Sequence, residues 1–230
     1  MAEQVTPGAG LARAAAITDR LRSPGGCPWD AEQTHTSLVR YLVEECFELV
    51  QALEDGDPAA VREELGDVLF QVLFHARIAA ETPSAAGGFD IDDVADGLVD
   101  KLVTRHPHVF AAGSGSAGEA PVSASDQEVR WDEIKKAERA KTQGRASVLD
   151  GVALAQPALA LAGKLGSRAA KFDVHAPLPA DDSPAATIFR LAYELGRSGA
   201  DVEGAVRAVA RGHAAAMLDA ESAADEAASG

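Results

Sequence analysis

Hydrophobic residues recur every three or four positions along two neighbouring segments, residues 37–54 and 58–80. This spacing is typical of amphipathic α-helices. The first segment carries one apolar stripe, formed by Leu42, Cys46, Leu49 and Leu53. The second carries an inner face of Val61, Leu65, Val68, Leu69 and Val72, and an opposite side of Phe70, Phe74 and Ile78. Because the second helix is apolar nearly all round, we expect it to contribute to a dimer interface.

Turn and capping residues mark the ends of these helices and predict further helices. Asp55-Gly56-Asp57-Pro58 separates the two long helices, and the prolines within 23–28 end an earlier helix at 11–22. A third long helix is predicted over 91–105, and a capping box at Ser125 and Glu128 opens another. Alanine-rich helices are predicted near 153–170, 185–198 and 201–219, and 111–125 is predicted to be a loop. Strand-like runs are scarce, so the predicted fold class is all-α.

The acidic residues of the two long helices lie on one side of each helix. Glu44, Glu45 and Glu48 share an arc of about 100°, and Glu64, Asp67 and Gln71 share about 60°. The short loop predicts an antiparallel helix hairpin. Glu48 would then lie level with Glu64, and Glu45 level with Asp67, the two pairs being one turn, ~5 Å, apart. Four carboxylates are therefore predicted to converge.

Crowded carboxylates in an apolar bundle repel one another unless they are protonated or bind a cation. An all-oxygen ligand set favours Mg²⁺, with Mn²⁺ as a substitute, over zinc. A single acid on a helix is more often a solvated surface residue. Asp67 differs because it lies in the apolar run from Leu65 to Phe70, beside Gly66, whose low helix propensity costs about 1 kcal/mol. We expect Gly66 to make room for a group close to the backbone. The sequence thus predicts a magnesium site on the hairpin.

The formal net charge of −15 argues against a nucleic-acid polymer or an anionic membrane as partner. A small anionic substrate would need a metal ion beside it. Cys27 and Cys46 are too few for a disulfide scaffold and suit a reducing compartment. No apolar stretch approaches the ~20 residues of a membrane span, so a cytoplasmic location is predicted. His106 and His108 flank Pro107 at a helix end, where we expect a capping or structural role rather than zinc binding.

The acidic motifs resemble those of the MazG-type nucleoside triphosphate pyrophosphohydrolases. Glu44-Glu45-Cys46-Phe47-Glu48, fifteen residues and then Glu64-Leu65-Gly66-Asp67 match the EExxE and ExxD signature. Flanking matches are Gly26-Cys27-Pro28-Trp29-Asp30, Phe89-Asp90, Arg105-His106-Pro107-His108-Val109-Phe110 and Arg130-Trp131. The resemblance covers about residues 11–145 and implies a helical bundle of the all-α NTP pyrophosphatase type.

The resemblance implies hydrolysis of NTPs or dNTPs to the monophosphate and pyrophosphate, and hence removal of surplus or damaged nucleotides. Glu45, Glu48, Glu64 and Asp67 would bind Mg²⁺. Glu44 would orient or deprotonate the attacking water. Lys101 and Arg105 match positions that contact phosphate oxygens. Trp131 matches a position near the nucleotide, where base stacking and a packing role are the alternatives.

Residues 147–218 resemble a second, degraded repeat in which the acidic motif is absent. Alignment by eye places Ser183 at the position of Glu64 and Ala186 at that of Asp67. The predicted organisation is a disordered tail at 1–10, a catalytic MazG domain at 11–146, a degenerate helical region at 147–220 and a tail at 221–230. We expect a homo-oligomer, a dimer or larger.

Two other functions stay open at this point. A related all-α hydrolase could act on a narrower substrate, such as dUTP or phosphoribosyl-ATP. A non-catalytic metal-binding interaction module could use the acids for structure or for a basic partner. Lys101 and Arg105 beside the acids argue against the second alternative.

Overall fold

A computed structural model describes residues 8–110, 123, 126–127, 130–131, 134 and 147–229, with side chains described up to residue 225. The described residues form helices and turns and include no strand, which confirms the predicted all-α class. The chain divides into two compact units, Met1–Pro121 and Val122–Gly230. No described helix combines the length and apolar content that a membrane span needs.

The first unit contains six helices among the described residues. They are α1 (Ala9–Arg22), α2 (Pro28–Glu32), α3 (His35–Asp55), α4 (Pro58–Ala79), α5 (Ile91–Arg105) and α6 (Pro107–Phe110), with a 3₁₀ turn at Ser84–Ala86. The predicted limits of α1, α3 and α4 agree to within two residues, and those of α5 agree fully. The short helices α2 and α6 were not predicted.

Capping residues define where α3 ends and α4 begins in the hairpin, and where α3 starts. The Thr34 hydroxyl accepts a hydrogen bond from the Ser37 amide at 3.1 Å, and the Ser37 hydroxyl accepts one from the Thr34 amide at 2.9 Å, which starts α3. Gly56 ends α3 in the left-handed region, with φ 72°. The Asp57 carboxylate then caps α4 by accepting from the Ala59 amide at 2.9 Å. This two-residue connection makes α3 and α4 antiparallel, as predicted.

Arg22 and Glu81 fasten α1 to the end of α4. Arg22 donates two hydrogen bonds to the Glu81 carboxylate, at 2.6 and 3.0 Å, and two more to the carbonyls of Asp30 and Gln33, at 2.6 and 2.9 Å. Arg77 on α4 donates to Asp19 on α1 at 2.6 Å. Because the Arg22 side chain is only 7% exposed, these bonds satisfy a guanidinium that would otherwise be buried without partners.

The predicted apolar stripes are wrong in detail. Leu53 and Leu65, expected to face inward, are 58% and 53% exposed, whereas the buried residues of α4 are Gln71, Leu73, Phe74, Ala76 and Ala79. The helix α5 buries no residue, although its apolar face was expected to pack inward. Periodicity identifies an apolar face but not the neighbour that covers it. The core of this unit lies toward the end of α4 that contacts α1.

The second unit contains α7 (Ala158–Phe172), α8 (Pro184–Arg197) and α9 (Val202–Ser229). Glycines allow α7 and α8 to cross closely: a Cβ on Gly166 would lie 2.0 Å from the Tyr193 carbonyl oxygen. Ala162, Ala192 and Val202 form the buried cluster. The three predicted helices are present, but α9 ends ten residues later than expected and α7 begins five residues later. Residues 126–127, 130–131 and 134 are helical, whereas Ser125, Glu128 and most of the predicted 111–125 loop lie outside the described residues.

Candidate metal centre

Three of the four predicted ligands come together where α3 faces α4. Carboxylate oxygens of Glu45, Glu48 and Glu64 lie within 4.8 Å of one another. Glu48 is exposed, and Glu45 and Glu64 are partly buried. The hairpin produces this cluster because Glu45 and Glu48 are one turn apart on α3 and Glu64 projects from the facing side of α4. We call these three residues the acid cluster.

Asp67 and Glu44 lie beside the acid cluster without belonging to it. The Asp67 charge acts on both Glu45 and Glu64, which places its carboxylate near the cluster, and Asp67 is partly buried. Glu44 is exposed, and its charge acts on Glu45. The structure therefore groups three predicted ligands closely and leaves Asp67 as a near neighbour.

The electrostatics of the acid cluster favour a cation. Burial is the largest cause that raises the pKa of Glu45, followed by the Asp67 charge and a hydrogen bond with Glu48. Burial also raises the pKa of Glu64, followed by the charges of Glu48 and Asp67. Each shift means that a negative charge at this point is costly. A divalent ion would remove that cost, and its preferred ligands are carboxylate oxygens such as these.

Gly66 has open space around it in the described chain. No atom outside its own helix lies within 4 Å of the position that a Gly66 Cβ would occupy. Packing within the described chain therefore does not require glycine here. The expectation that Gly66 makes room for a neighbouring group stays a prediction.

The residues expected to bind substrate lie on other elements. Lys101 is exposed and Arg105 is partly buried, and both lie on α5, which packs against α4. Trp131 is partly buried in a helical segment of the second unit. Their roles stay predictions. His106 has a ring nitrogen 2.7 Å from the Leu102 carbonyl at the end of α5, in agreement with the predicted capping role.

The sequence interpretation missed a histidine pair on the same hairpin. The Nδ1 atoms of His35 on α3 and His75 on α4 are 2.7 Å apart, and the ring planes are within 1° of parallel. The ring centroids are 5.1 Å apart, which equals the Nδ1–Nδ1 distance plus roughly one ring radius on each side. The rings therefore lie edge to edge in nearly one plane, joined by an N–H···N hydrogen bond, rather than face to face.

The polar side of α4 continues from the acid cluster to this pair. Gln71 follows Asp67 by one turn, is only 4% exposed, and has a buried Oε1 with no hydrogen-bond partner among the described residues. The His75 Nε2 atom is likewise buried without a described partner. Burial, followed by the His35 charge, lowers the pKa of His75. Helical spacing from Glu64 through Asp67 and Gln71 to His75 was the signal that could have identified this row.

Comparison with known proteins identifies the family. The family model for the MazG nucleotide pyrophosphohydrolase domain matches residues 33–110, which contain α3, α4, α5 and the acid cluster. A 26.1 kDa uncharacterised protein of Streptomyces cacaoi is 44% identical over 94% of this chain and 84% of its own length. The chain belongs to the MazG family. The MazG resemblance deduced from the acidic motifs is thereby confirmed.

Named MazG relatives are longer than this chain. The nucleoside triphosphate pyrophosphohydrolase of Mycolicibacterium smegmatis is 48% identical over 80% of this chain, which spans 52% of the relative. The chain thus spans about half the length of the curated relatives that carry this name. Among solved structures, a mazG-related protein from Thermotoga maritima aligns with 29% identity and a TM-score of 0.43, over 54% of this chain and 98% of that chain.

Proposed function

We propose that this MazG chain is a nucleoside triphosphate pyrophosphohydrolase. It would convert an NTP or dNTP to the monophosphate and pyrophosphate, and so remove surplus or damaged nucleotides. The observation that carries the proposal is the acid cluster of Glu45, Glu48 and Glu64, contained in the segment that matches the family model. The names of the relatives supply the substrate class.

The donor set fits a hard divalent ion, and we propose Mg²⁺, with Mn²⁺ as a substitute. Glu45, Glu48 and Glu64 would hold the ion, and Asp67 would join them, since its charge already acts on two of the three. When bound, the ion would neutralise phosphate charge and polarise the phosphoanhydride bond. The four carboxylates would hold the ion, and its positive charge would offset their mutual repulsion.

The remaining groups have separate roles in the proposed reaction. The exposed Glu44 carboxylate would accept the proton of the attacking water or hold the water in line. Lys101 and Arg105 would contact phosphate oxygens and offset the acidity of a chain with net charge −15. Trp131 would stack on the base.

We also propose that the protein acts as a homo-oligomer. The helix α5 buries none of its residues, and Val94, Leu98 and Leu102 on it are all more than a third exposed. Leu65 and Leu69 on α4 are exposed near the acid cluster. A second copy would cover these apolar residues. The cytoplasmic location stays a prediction.

The proposal is tested by substituting the acids and measuring products over the eight common NTPs and dNTPs. Glu64→Gln and Asp67→Asn should each lower Mg²⁺-dependent pyrophosphate release by about 100-fold or more, because each removes an anionic ligand. Glu63→Gln, an exposed neighbour outside the acid cluster, is the matched control and should keep its activity. Full turnover by the Glu64 variant would exclude the acid cluster as the catalytic site.

The same panel separates the alternatives. A narrow dUTP-type enzyme would turn over one nucleotide, and a phosphoribosyl-ATP hydrolase would turn over none of the eight. An interaction module would bind Mg²⁺ without turnover, and calorimetry with a non-hydrolysable NTP, with and without Mg²⁺, would identify it.

A further inference from the structure

Gln71 is a buried amide that lies between the acid cluster and the histidine pair. These two contacts fix the register of α3 against α4 on either side of Gln71. Gln71 is only 4% exposed, and its Oε1 atom is buried without a hydrogen-bond partner among the described residues. A buried acceptor without a partner destabilises a folded chain, and native proteins keep few of them. Packing alone therefore does not explain a glutamine at this position.

The facing helix does not supply a partner for this amide. Leu38 and Tyr41 share the side of α3 that carries Glu45, and they precede Glu45 by two turns and one turn. Leu38 is 1% exposed and has no polar side-chain atom, and the Tyr41 hydroxyl accepts a hydrogen bond from Arg40. Neither side chain gives a hydrogen bond to the Gln71 Oε1 atom. The remaining polar candidates lie on the same face of α4.

Two polar side chains of α4 flank Gln71 at a distance of one helical turn. Asp67 precedes Gln71 by four residues and His75 follows it by four, a spacing at which side chains of one helix are neighbours. The His75 Nε2 atom is also buried without a partner among the described residues. When His75 accepts the hydrogen bond from His35 at Nδ1, its neutral ring carries a proton on Nε2. A buried donor then lies one turn from a buried acceptor, and one hydrogen bond would satisfy both.

The amide nitrogen of Gln71 has a natural acceptor in Asp67. The Asp67 carboxylate lies beside the acid cluster without joining it, although its charge acts on Glu45 and Glu64. A glutamine amide that donates to an aspartate four residues away is a stabilising pair on a helix. Such a bond would orient the Asp67 carboxylate, and groups that hydrogen-bond a metal ligand strengthen metal binding.

We propose that Gln71 is a positioning residue for the metal centre. Its Oε1 atom accepts a hydrogen bond from His75 Nε2, and its amide nitrogen donates to Asp67, which brings Asp67 in as the fourth ligand. A chain of hydrogen bonds then runs from His35 through His75 and Gln71 to Asp67. This role rests on the proposed metal centre, and Gln71 itself touches neither the ion nor the substrate.

Mn²⁺ affinity, measured by calorimetry on the full chain without nucleotide, tests this role. Gln71→Met removes the amide and keeps a side chain of similar length. It should lower Mn²⁺ affinity about tenfold. The unfolding midpoint of the metal-free protein should stay unchanged or rise, because an apolar group replaces the unpartnered acceptor.

Gln33→Met is the matched control, because the Gln33 amide donates to the Trp29 carbonyl at 2.9 Å, away from this face of α4. This variant should lose stability and keep the Mn²⁺ affinity of the wild type. A water molecule held between Gln71 and His75 would satisfy the same two atoms without affecting the ion. It predicts wild-type Mn²⁺ affinity in Gln71→Met, and that result would overturn the proposal.

A double-mutant cycle tests the bond between Gln71 and His75. His75→Leu should also lower Mn²⁺ affinity, and the double variant should bind no more weakly than Gln71→Met alone, because both changes remove the same bond. Losses that multiply in the double variant would contradict the chain of hydrogen bonds. Glu64→Gln should remove Mn²⁺ binding altogether. Wild-type affinity in Glu64→Gln would refute the metal centre itself, whereas wild-type affinity in Gln71→Met alone would refute only the role of Gln71.

Discussion

At the scale of single residues, the acid cluster holds neighbouring negative charges at a cost in stability. Burial and neighbouring charges raise the pKa of both Glu45 and Glu64, so these carboxylates are strained when ionised and metal-free. Such strain is typical of sites whose geometry serves a ligand rather than the fold.

Neutralising one member of the cluster should therefore stabilise the metal-free protein. We expect Glu64→Gln to raise or leave unchanged the unfolding midpoint without Mg²⁺, and to abolish the increase that saturating Mg²⁺ gives the wild type. Thermal unfolding with and without Mg²⁺ measures both effects, with Glu63→Gln as the control. A Mg²⁺-dependent increase that survives in Glu64→Gln would place the ion elsewhere.

The histidine pair should make stability depend on pH near neutrality. Because the folded pKa of His75 lies below its ordinary value of about 6.5, protonation opposes the folded state. Stability is then fully present above pH ~6.5 and is lost as the pH falls through the folded pKa. The N–H···N bond to His35 breaks when both rings are protonated.

We expect His75→Gln to flatten the decline of the unfolding midpoint between about pH 7 and pH 5. The exposed His175, on the second unit, is the control position, and His175→Gln should retain the wild-type slope. Thermal unfolding at several pH values gives both slopes. A wild-type slope in the His75 variant would remove this pair as its source.

At the scale of elements, the Arg22–Glu81 ion pair helps to attach α1 to the end of α4. Hydrogen bonding by Arg22 is the largest cause that lowers the pKa of Glu81, and the Arg22 and Arg77 charges add to it. A lowered carboxyl pKa contributes stability above the ordinary Glu pKa of about 4.3, and that contribution disappears as the pH falls through the folded pKa.

Glu81→Gln should lower the free energy of unfolding by about 1 kcal/mol at pH 7, since Glu81 is partly exposed and solvent screens the pair. The difference from wild type should shrink as the pH falls through the lowered folded pKa of Glu81, below which the carboxyl group is protonated in both states. Denaturant unfolding across this range measures the effect, and the exposed Glu32→Gln should show neither change. A difference that stays constant with pH would assign the loss to packing.

The crossing of α7 and α8 depends on glycine. We expect Gly166→Ala to destabilise the second unit by at least about 1–3 kcal/mol, because the new Cβ would overlap the Tyr193 carbonyl. Gly212→Ala on α9 meets no atom within 4 Å, and should be neutral or gain up to about 1 kcal/mol. Denaturant unfolding compares the two, and equal effects would show that the helices can separate at little cost.

At the scale of the whole molecule, much apolar surface of α5 and the first half of α4 is uncovered in one chain. Leu98→Glu should leave a single chain's fold intact, because Leu98 is 47% exposed. If a second copy covers α5, Leu98→Glu should weaken the association of the two copies by about tenfold or more. Light scattering over a dilution series measures the mass. Leu154→Glu, at another exposed leucine, is the control, and an unchanged mass for Leu98→Glu would exclude α5 from the interface.

The two units differ in their acidic residues. The acid cluster lies in the first unit, whereas the resemblance predicted for residues 147–218 would place Ser183 and Ala186 at the positions of Glu64 and Asp67. Ser183 instead caps α8 by accepting from the Ala186 amide at 3.1 Å. The boundary predicted between residues 146 and 147 stays a prediction. A structural role for the second half is likewise a prediction.

The sequence by itself determined the longer helices, the antiparallel hairpin and the family, because these follow from local periodicity, from caps such as Gly56 and Asp57, and from the spacing of Glu45, Glu48, Glu64 and Asp67. Only the tertiary structure decided which apolar faces are buried. Leu53 and Leu65 follow the same apolar spacing as residues that are covered, so this spacing could not show that they are exposed. It also revealed the His35–His75 bond and the buried Gln71. Contacts between residues distant in sequence depend on how helices pack, and no local pattern specifies that.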